Sequence, residues 1–219
     1  MRKFALVALC AIAGLLAVCA ILWDPAALLE RIKSRYGVKM NPPAQAVLNA
    51  ARARLAPLLP PGAALPLPGA RIEIDKQARR ATLFSGDRRI KTYAIVLGGS
   101  PTGHKRAEGD GRTPEGDYRI CTRNAQSRFH LFLGLNYPNT VDAQAAFKAG
   151  AISQDLSLAL AAAESRQSPP NWKTPLGGEV GLHGGGTVRD WTAGCIAFDN
   201  SSIEEIWVAT AYWTPVTIR

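Results

Sequence analysis

The chain is poor in the residues from which metal sites are built. Its 219 residues include only three histidines and four cysteines, with no His-Glu-x-x-His run and no cysteine pair at metal-ligand spacing. That argues against a zinc peptidase, and no motif implies a metal or an organic cofactor. No Gly-x-Ser-x-Gly elbow occurs either, so His183-Gly184-Gly185-Gly186 only mimics the oxyanion loop of serine esterases. Gly98 to Lys105 echoes a phosphate-binding loop, but Arg106 stands where such a loop needs Ser or Thr.

Acidic residues are missing before Asp24, and between Phe4 and Trp23 there is no charge of either sign. About 20 apolar residues at a rise of about 1.5 Å each cross a hydrocarbon core of about 30 Å. Residues 1–23 are therefore expected to be an N-terminal transmembrane anchor, longer than the apolar stretch of a cleaved signal peptide. Val18-Cys19-Ala20 leaves cleavage after Ala20 open, and Leu16-Ala17-Val18-Cys19 is a poorer lipoprotein site. In each case the rest of the chain is exported. Arg2 and Lys3 favour a cytoplasmic N-terminus, diluted by Arg31, Lys33, Arg35 and Lys39 after the span. Without Arg2 and Lys3, the 26 basic residues fall to 24 against 17 acidic ones, a net charge of +7. Such a surface suits a partner bearing carboxylates or phosphates, and equally suits solubility beside an anionic membrane. Hydrophobic content of 47% with 20% charge marks a globular chain and excludes disorder.

What is present reads in three stretches. Residues 24–69 form a helical and Pro-rich linker. Asp24-Pro25 starts a short helix to about residue 36, Pro43 to Ala56 forms a second, and Pro57 to Gly69 cannot continue a helix. From residue 70 to 219 the pattern is α+β and strand-dominated, with inserted helices. Arg71–Ile74, Ala81–Phe84 and Ile90–Leu97 read as strands, with Ser85-Gly86-Asp87 as a hairpin turn. Gly98 to Gly116 reads as a long loop, and Tyr118–Ile120 and Phe129–Leu135 as further strands. Val141 to Arg166 is helical with an interruption at Gly150. Glu179–His183 and Cys195–Phe198 are short buried strands, Asn200–Thr210 a helix with capping boxes at Ser201 and Ser202, and Val216–Ile218 a closing strand.

Two of the four cysteines, Cys10 and Cys19, sit inside the apolar span. That leaves Cys121, which reads as a buried strand residue, and Cys195. The two are able to pair in an oxidising compartment, but the surroundings of Cys195 favour chemistry. Gly181-Leu182-His183-Gly184 lies shortly before Thr192-Ala193-Gly194-Cys195. An ordinary thiol, with a pKa of about 8.5, carries little thiolate at neutral pH and needs a base to attack a carbonyl. His183 is the candidate base, and Gly194 lets the backbone turn its N–H groups toward a developing oxyanion. The bland alternative is a buried strand thiol beside a loop histidine.

Thr192 to Asn200 resembles the active-site motif of the L,D-transpeptidases, the YkuD-like catalytic domain. That motif is a His-Gly followed at an interval by Ser/Thr-x-Gly-Cys-hydrophobic, with an Asn a few residues on. Asp110 to Tyr118, with its Thr-Pro-x-Gly, and Phe129 to Asn139 resemble further stretches of the family. The latter and Asp190-Trp191 are similar to its exported Gram-negative branch. The resemblance covers about residues 70–219. It implies that Cys195 accepts the acyl group, that His183 is the base, that the Gly184 carbonyl orients it, and that the N–H groups of Gly194 and Cys195 are oxyanion donors. Ala193 stands where many members have His, and Ala197 where many have Arg. The interval from His183 to Cys195 is also short, which points to a divergent subgroup with a different acyl acceptor.

The implied activity is acyl transfer on peptidoglycan stem peptides through a Cys195 thioester. Hydrolysis of the same thioester, as an amidase or carboxypeptidase, and a non-catalytic wall-binding module on a membrane tether are the alternatives. Arg112, sharing a loop with His104, Lys105 and Arg106, is placed to meet stem-peptide carboxylates or simply solvent. His130 lines the groove or is a satisfied rim histidine, and Trp191 is a groove wall or packing. Asp199 and Asn200 cap the following helix. The expected setting is the inner membrane with the catalytic domain in the periplasm. The expected partners are stem peptides and an acceptor, a protein among the candidates, with no nucleic acid and a monomeric chain.

Overall fold

Residues 70–94 build the first part of a sheet because their apolar side chains alternate. The computed structural model describes residues 44–219; the expected anchor at 1–23 and the helix at 25–36 lie outside the described residues. Strands β1 (Ala70–Asp75), β2 (Arg80–Ser85) and β3 (Arg88–Ala94) form an antiparallel meander. Ile72, Ile74, Ala81 and Leu83 are buried on one face, while Glu73 and Asp75 face outward. Gly86, at φ 55°, makes the β2–β3 turn in the left-handed region that only glycine enters freely.

Strand β8 (Pro215–Ile218) returns from the C-terminus to lie parallel to β1 and antiparallel to β4 (Gly116–Ser127). Twelve residues long, β4 reaches both parts of the sheet. Its start, Gly116 to Arg119, pairs with β8, and from Ile120 on it pairs with β5 (His130–Leu135), with an irregularity between Ile120 and Thr122. Then come β6 (Gly181–His183) and β7 (Ile196–Ala197), giving the order β3-β2-β1-β8-β4-β5-β6-β7. The chain leaving β3 returns to the far edge, where Val96 bridges Ala197 and Gly98 bridges Thr192.

Among the described residues four α-helices accompany the sheet: α1 (Gln45–Leu55), α2 (Thr140–Lys148), α3 (Gln154–Ser165) and α4 (Asn200–Ala209). Asn139 caps α2 in a complete capping box with Asp142, and Gly150 (φ 70°) separates α2 from α3. Helix α4 buries Ile203, Ile206 and Trp207, the i, i+3, i+4 stripe expected of a core-facing helix. Each such side chain contributes about 1.5–3 kcal/mol when fully buried. The capping boxes expected at Ser201 and Ser202 do not form. Asp199 is the N-cap and its side chain caps nothing, because its carboxylate instead accepts from Thr187 Oγ1 at 3.2 Å.

The stretch before β1 is docked on this core. Ala51 and Leu55 of α1 are fully buried, as nearly is Leu67 of the Pro-rich run. The Leu67 N–H donates to Ala209 O at 2.9 Å. Arg54 bonds Glu204 and Glu205 of α4 at 2.6 and 3.0 Å, and Lys91 reaches the same Glu205 at 2.7 Å. Two cations on a carboxylate only 2% exposed offset its desolvation. Among the described residues no helix is long and apolar enough to cross a membrane.

Candidate active site

The parallel β6–β7 register sets the site. It pairs Leu182 with Ile196 and His183 with Ala197. Residues two apart on a strand share a face, so Cys195, one step before β7, falls beside Gly181 on the face that His183 uses. A side chain at Gly181 has no room: its Cβ would lie 2.6 Å from both Leu133 O and Phe132.

His183 is 1% exposed. Its ring stacks on Phe129 with centroids 4.6 Å apart, and Trp191 meets it edge-on at 5.5 Å. The Nδ1 atom lies 2.6 Å from the Gly184 carbonyl oxygen. A carbonyl only accepts, so Nδ1 carries the proton and Nε2 is left as the acceptor, the tautomer a base requires. Burial pushes the imidazole below its ordinary pKa, opposed by the Gly184 bond and aided by Arg128. The ring is therefore neutral at neutral pH.

The Cys195 residue is partly exposed, yet its thiol is packed in protein. Burial pushes the thiol up to about 11, against the Gly181 backbone N–H, which favours the thiolate. In this state Sγ donates to the Glu179 carbonyl at 3.4 Å, and no thiol–imidazole hydrogen bond occurs among the described residues. Glu179 has φ 53°, unusual for a residue with a side chain. The resting thiol is thus protonated and parked on a carbonyl.

The turn before Cys195 is held by Thr192, whose Oγ1 donates to Cys195 O at 2.8 Å and accepts from Gly194 N at 3.1 Å. This corrects the expectation that the Gly194 N–H faces an oxyanion, since Thr192 already occupies it. The Cys195 N–H has no acceptor among the described residues. Gly194 (φ 138°) also has no space for a Cβ, which would lie 2.5 Å from Arg112 O.

The remaining candidates are distributed around this centre. Trp191 packs on His183 and Phe129 and donates to Gly186 O at 3.3 Å. Asp190 before it accepts from Arg79 at 2.6 Å and from Leu97 N at 2.8 Å, fixing the loop. Arg112 lays its backbone on Gly194 and has no ion-pair partner among the described residues. His130 faces α4 instead, with Nε2 2.8 Å from Glu204 Oε1. Asn200 does more than begin a helix: its Oδ1 accepts from Gly185 N at 3.0 Å and so holds the turn after His183. Cys121 and Cys195 are both free thiols, and burial pushes Cys121 up to about 12. Among the described residues no group of three or more His, Cys, Asp or Glu side chains is placed to hold a metal ion. A cleft of about 1010 Å³ opens near Lys76 and Arg219, and neither Cys195 nor His183 lines it.

Sequence reasoning missed Glu179, Gly181 and the Asn200 contact. The first two act through backbone atoms, which leave no residue-type signature. Fold and site together define a class: an α+β domain whose sheet carries a histidine and a cysteine at adjacent parallel strands. The chain belongs to the L,D-transpeptidase (YkuD) family, whose catalytic-domain model matches residues 69–218. Solved structures of similar fold include Bd1075 of Bdellovibrio bacteriovorus, at 22% identity over 70% of this chain and 48% of that one, TM-score 0.46. The helical cell shape determining protein Pgp2 of Campylobacter jejuni is 19% identical over 77% and 55%, TM-score 0.47. An L,D-transpeptidase of Xylanimonas cellulosilytica is 14% identical over 70% and 61%, TM-score 0.41. The chain therefore spans between 48% and 61% of the length of these structures. No curated protein matches the sequence.

Proposed function

We propose that this protein is a cysteine acyltransferase of peptidoglycan stem peptides, with Cys195 as nucleophile and His183 as base. The observation that carries the proposal is the bond from His183 Nδ1 to the Gly184 carbonyl, 2.6 Å long, beside the Cys195 strand. It frees Nε2 to take the thiol proton as sulfur attacks the donor amide carbon. The carbonyl π pair moves to oxygen, which the Cys195 N–H faces, and the tetrahedral adduct collapses with cleavage of the C–N bond. The leaving amine takes the proton back from His183, and a thioester remains. An acceptor amine, on a second stem or on a protein, then attacks the thioester in the same manner and regenerates the thiol.

Arg112, without an ion-pair partner among the described residues, supports recognition of stem-peptide carboxylates, and Trp191 forms the wall beside the imidazole. The apolar run from Phe4 to Trp23 supports an inner-membrane anchor with this domain in the periplasm. The thiol pushed up to about 11 fits a nucleophile that is deprotonated only as it attacks. Intact mass after incubation with a carbapenem tests the chemistry: wild type gains one acyl adduct and Cys195→Ala gains none. A wild-type protein that stays unmodified makes it a wall-binding module instead. Muropeptides of cells with and without the gene test the substrate, and unchanged 3–3 crosslinks, protein attachment and tripeptide levels overturn it. Release from purified sacculi without joining assigns the second half of the reaction to water.

A further inference from the structure

The loop between β3 and β4 contains a buried lysine that the proposed reaction leaves unused. Lys105 is 3% exposed. Its Nζ donates to Asp110 Oδ1 at 2.8 Å and to Ala107 O at 3.0 Å, and its third N–H has no acceptor among the described residues. Asp110 is itself built in, accepting from the backbone N–H groups of Arg106, Ala107 and Arg112 at 2.8, 3.1 and 3.0 Å. Despite partial burial, the Lys105 ammonium and these N–H groups hold the Asp110 carboxyl down to about 2.

The lysine stem runs against the nucleophile's own turn. Its Cδ lies 3.6 Å from where a Cβ on Gly194 would stand, and its Cε 3.4 Å from the same position on Gly177. Both residues are glycines at positive φ, so the stem passes between two bare backbones, one of them directly preceding Cys195. Tyr137 closes the passage by donating to Lys105 O at 3.3 Å and Leu176 O at 3.1 Å. Burying an ammonium costs several kcal/mol, and solvent was available one residue on at Arg106, which is exposed.

We propose that Lys105 is a positioning cation for the nucleophile: anchored by Asp110 behind Gly194, it holds a fixed positive charge that favours the Cys195 thiolate and the oxyanion formed beside it. The inference rests on Cys195 being the attacking group. In a site screened from water, a fixed charge acts on developing negative charge without reorganising. The neighbouring charges do not substitute for it. The Glu179 carboxylate opposes the thiolate and His183 is neutral. Arg112 presents its backbone, while its guanidinium lies beside Gly103.

The test is the rate of Cys195 alkylation by iodoacetamide between pH 7 and 9.5, read by intact mass. It needs no knowledge of the natural substrate, so a failed carbapenem adduct and a failed Lys105 role remain distinguishable. Lys105→Met keeps the stem and removes the charge; alkylation is expected to fall about tenfold at each pH, the displacement of one pKa unit. Lys105→Gln, a second neutral variant, is expected to behave alike where Met perturbs folding, with melting temperature reporting the fold. The double variant Lys105→Met/Asp110→Asn removes both charges and is expected to stay slow. An unchanged profile in the folded neutral variants overturns the proposal. So does a double variant restored to the wild-type rate, because the effect would then come from the stranded Asp110 carboxylate.

Discussion

The two parts of the sheet are built on different principles. In β3-β2-β1-β8, six consecutive residues of β1 pair with β2, and Ile72, Ile74, Leu83, Val216 and Ile218 alternate into the core. In β5-β6-β7 the strands shrink to three and two residues, and glycines at 134, 178, 181 and 194 leave no room for a Cβ. The first part is held by side chains, so it stabilises itself. The second is held by close backbone approach, which leaves amides and carbonyls exposed to a thiol and an imidazole. Stability and chemistry have been separated along one sheet, with β4 spanning the junction.

The largest expected break in that comparison is chemical. His183→Gln is expected to slow carbapenem acylation of Cys195 by about 10²–10⁴-fold, the contribution of a positioned base, without changing the unfolding transition. Adduct formation by intact mass against time checks it. In wild type the acidic limb of the same rate is expected below pH 6.5, because burial lowers the imidazole pKa and the ring charges only at lower pH. A limb above that value contradicts the buried, neutral ring.

Leu83→Ala, in the first part, is expected to cost about 2–5 kcal/mol in denaturant unfolding while the remaining folded protein acylates at the wild-type rate. Gly178→Ala, in the second, is expected to cost less, about 1–3 kcal/mol, but to slow acylation as well. Its Cβ would lie 2.4 Å from Trp172 Cα, where the backbone has to shift, next to the Glu179 carbonyl that holds the thiol. Equal effects of the two on acylation would erase the distinction. The smallest effect is expected for Asn200→Ala, which removes one acceptor from Gly185 N and costs about 1 kcal/mol. Its trace should be a modest loss of acylation rate with a melting temperature lower by only about 2–4 °C.

Legibility in the sequence divides along the same line. Ala81–Phe84 and Arg71–Ile74 betray themselves by alternation, the Ser85-Gly86-Asp87 turn by its glycine, and the α2–α3 break by Gly150, since each depends on neighbours close in the chain. The docking of α1 on α4 was not legible, because Arg54 finds Glu204 and Glu205 about 150 residues away. Nor was the placement of His130, whose partner is on α4 rather than on its own strand.

For the site, residue types alone marked out Cys195, His183 and Gly184 as the candidates, and the structure places the Gly184 carbonyl on His183 Nδ1. A nucleophile needs particular side-chain chemistry, and only certain residue types supply it. The tertiary structure decided how those groups rest: the proton of Cys195 on the Glu179 carbonyl, the Gly194 N–H on Thr192, and a buried ammonium behind the turn. Such features depend on backbone groups and charges brought together from distant parts of the chain. Every residue carries an amide and a carbonyl, so which of them meets the thiol is settled only by packing.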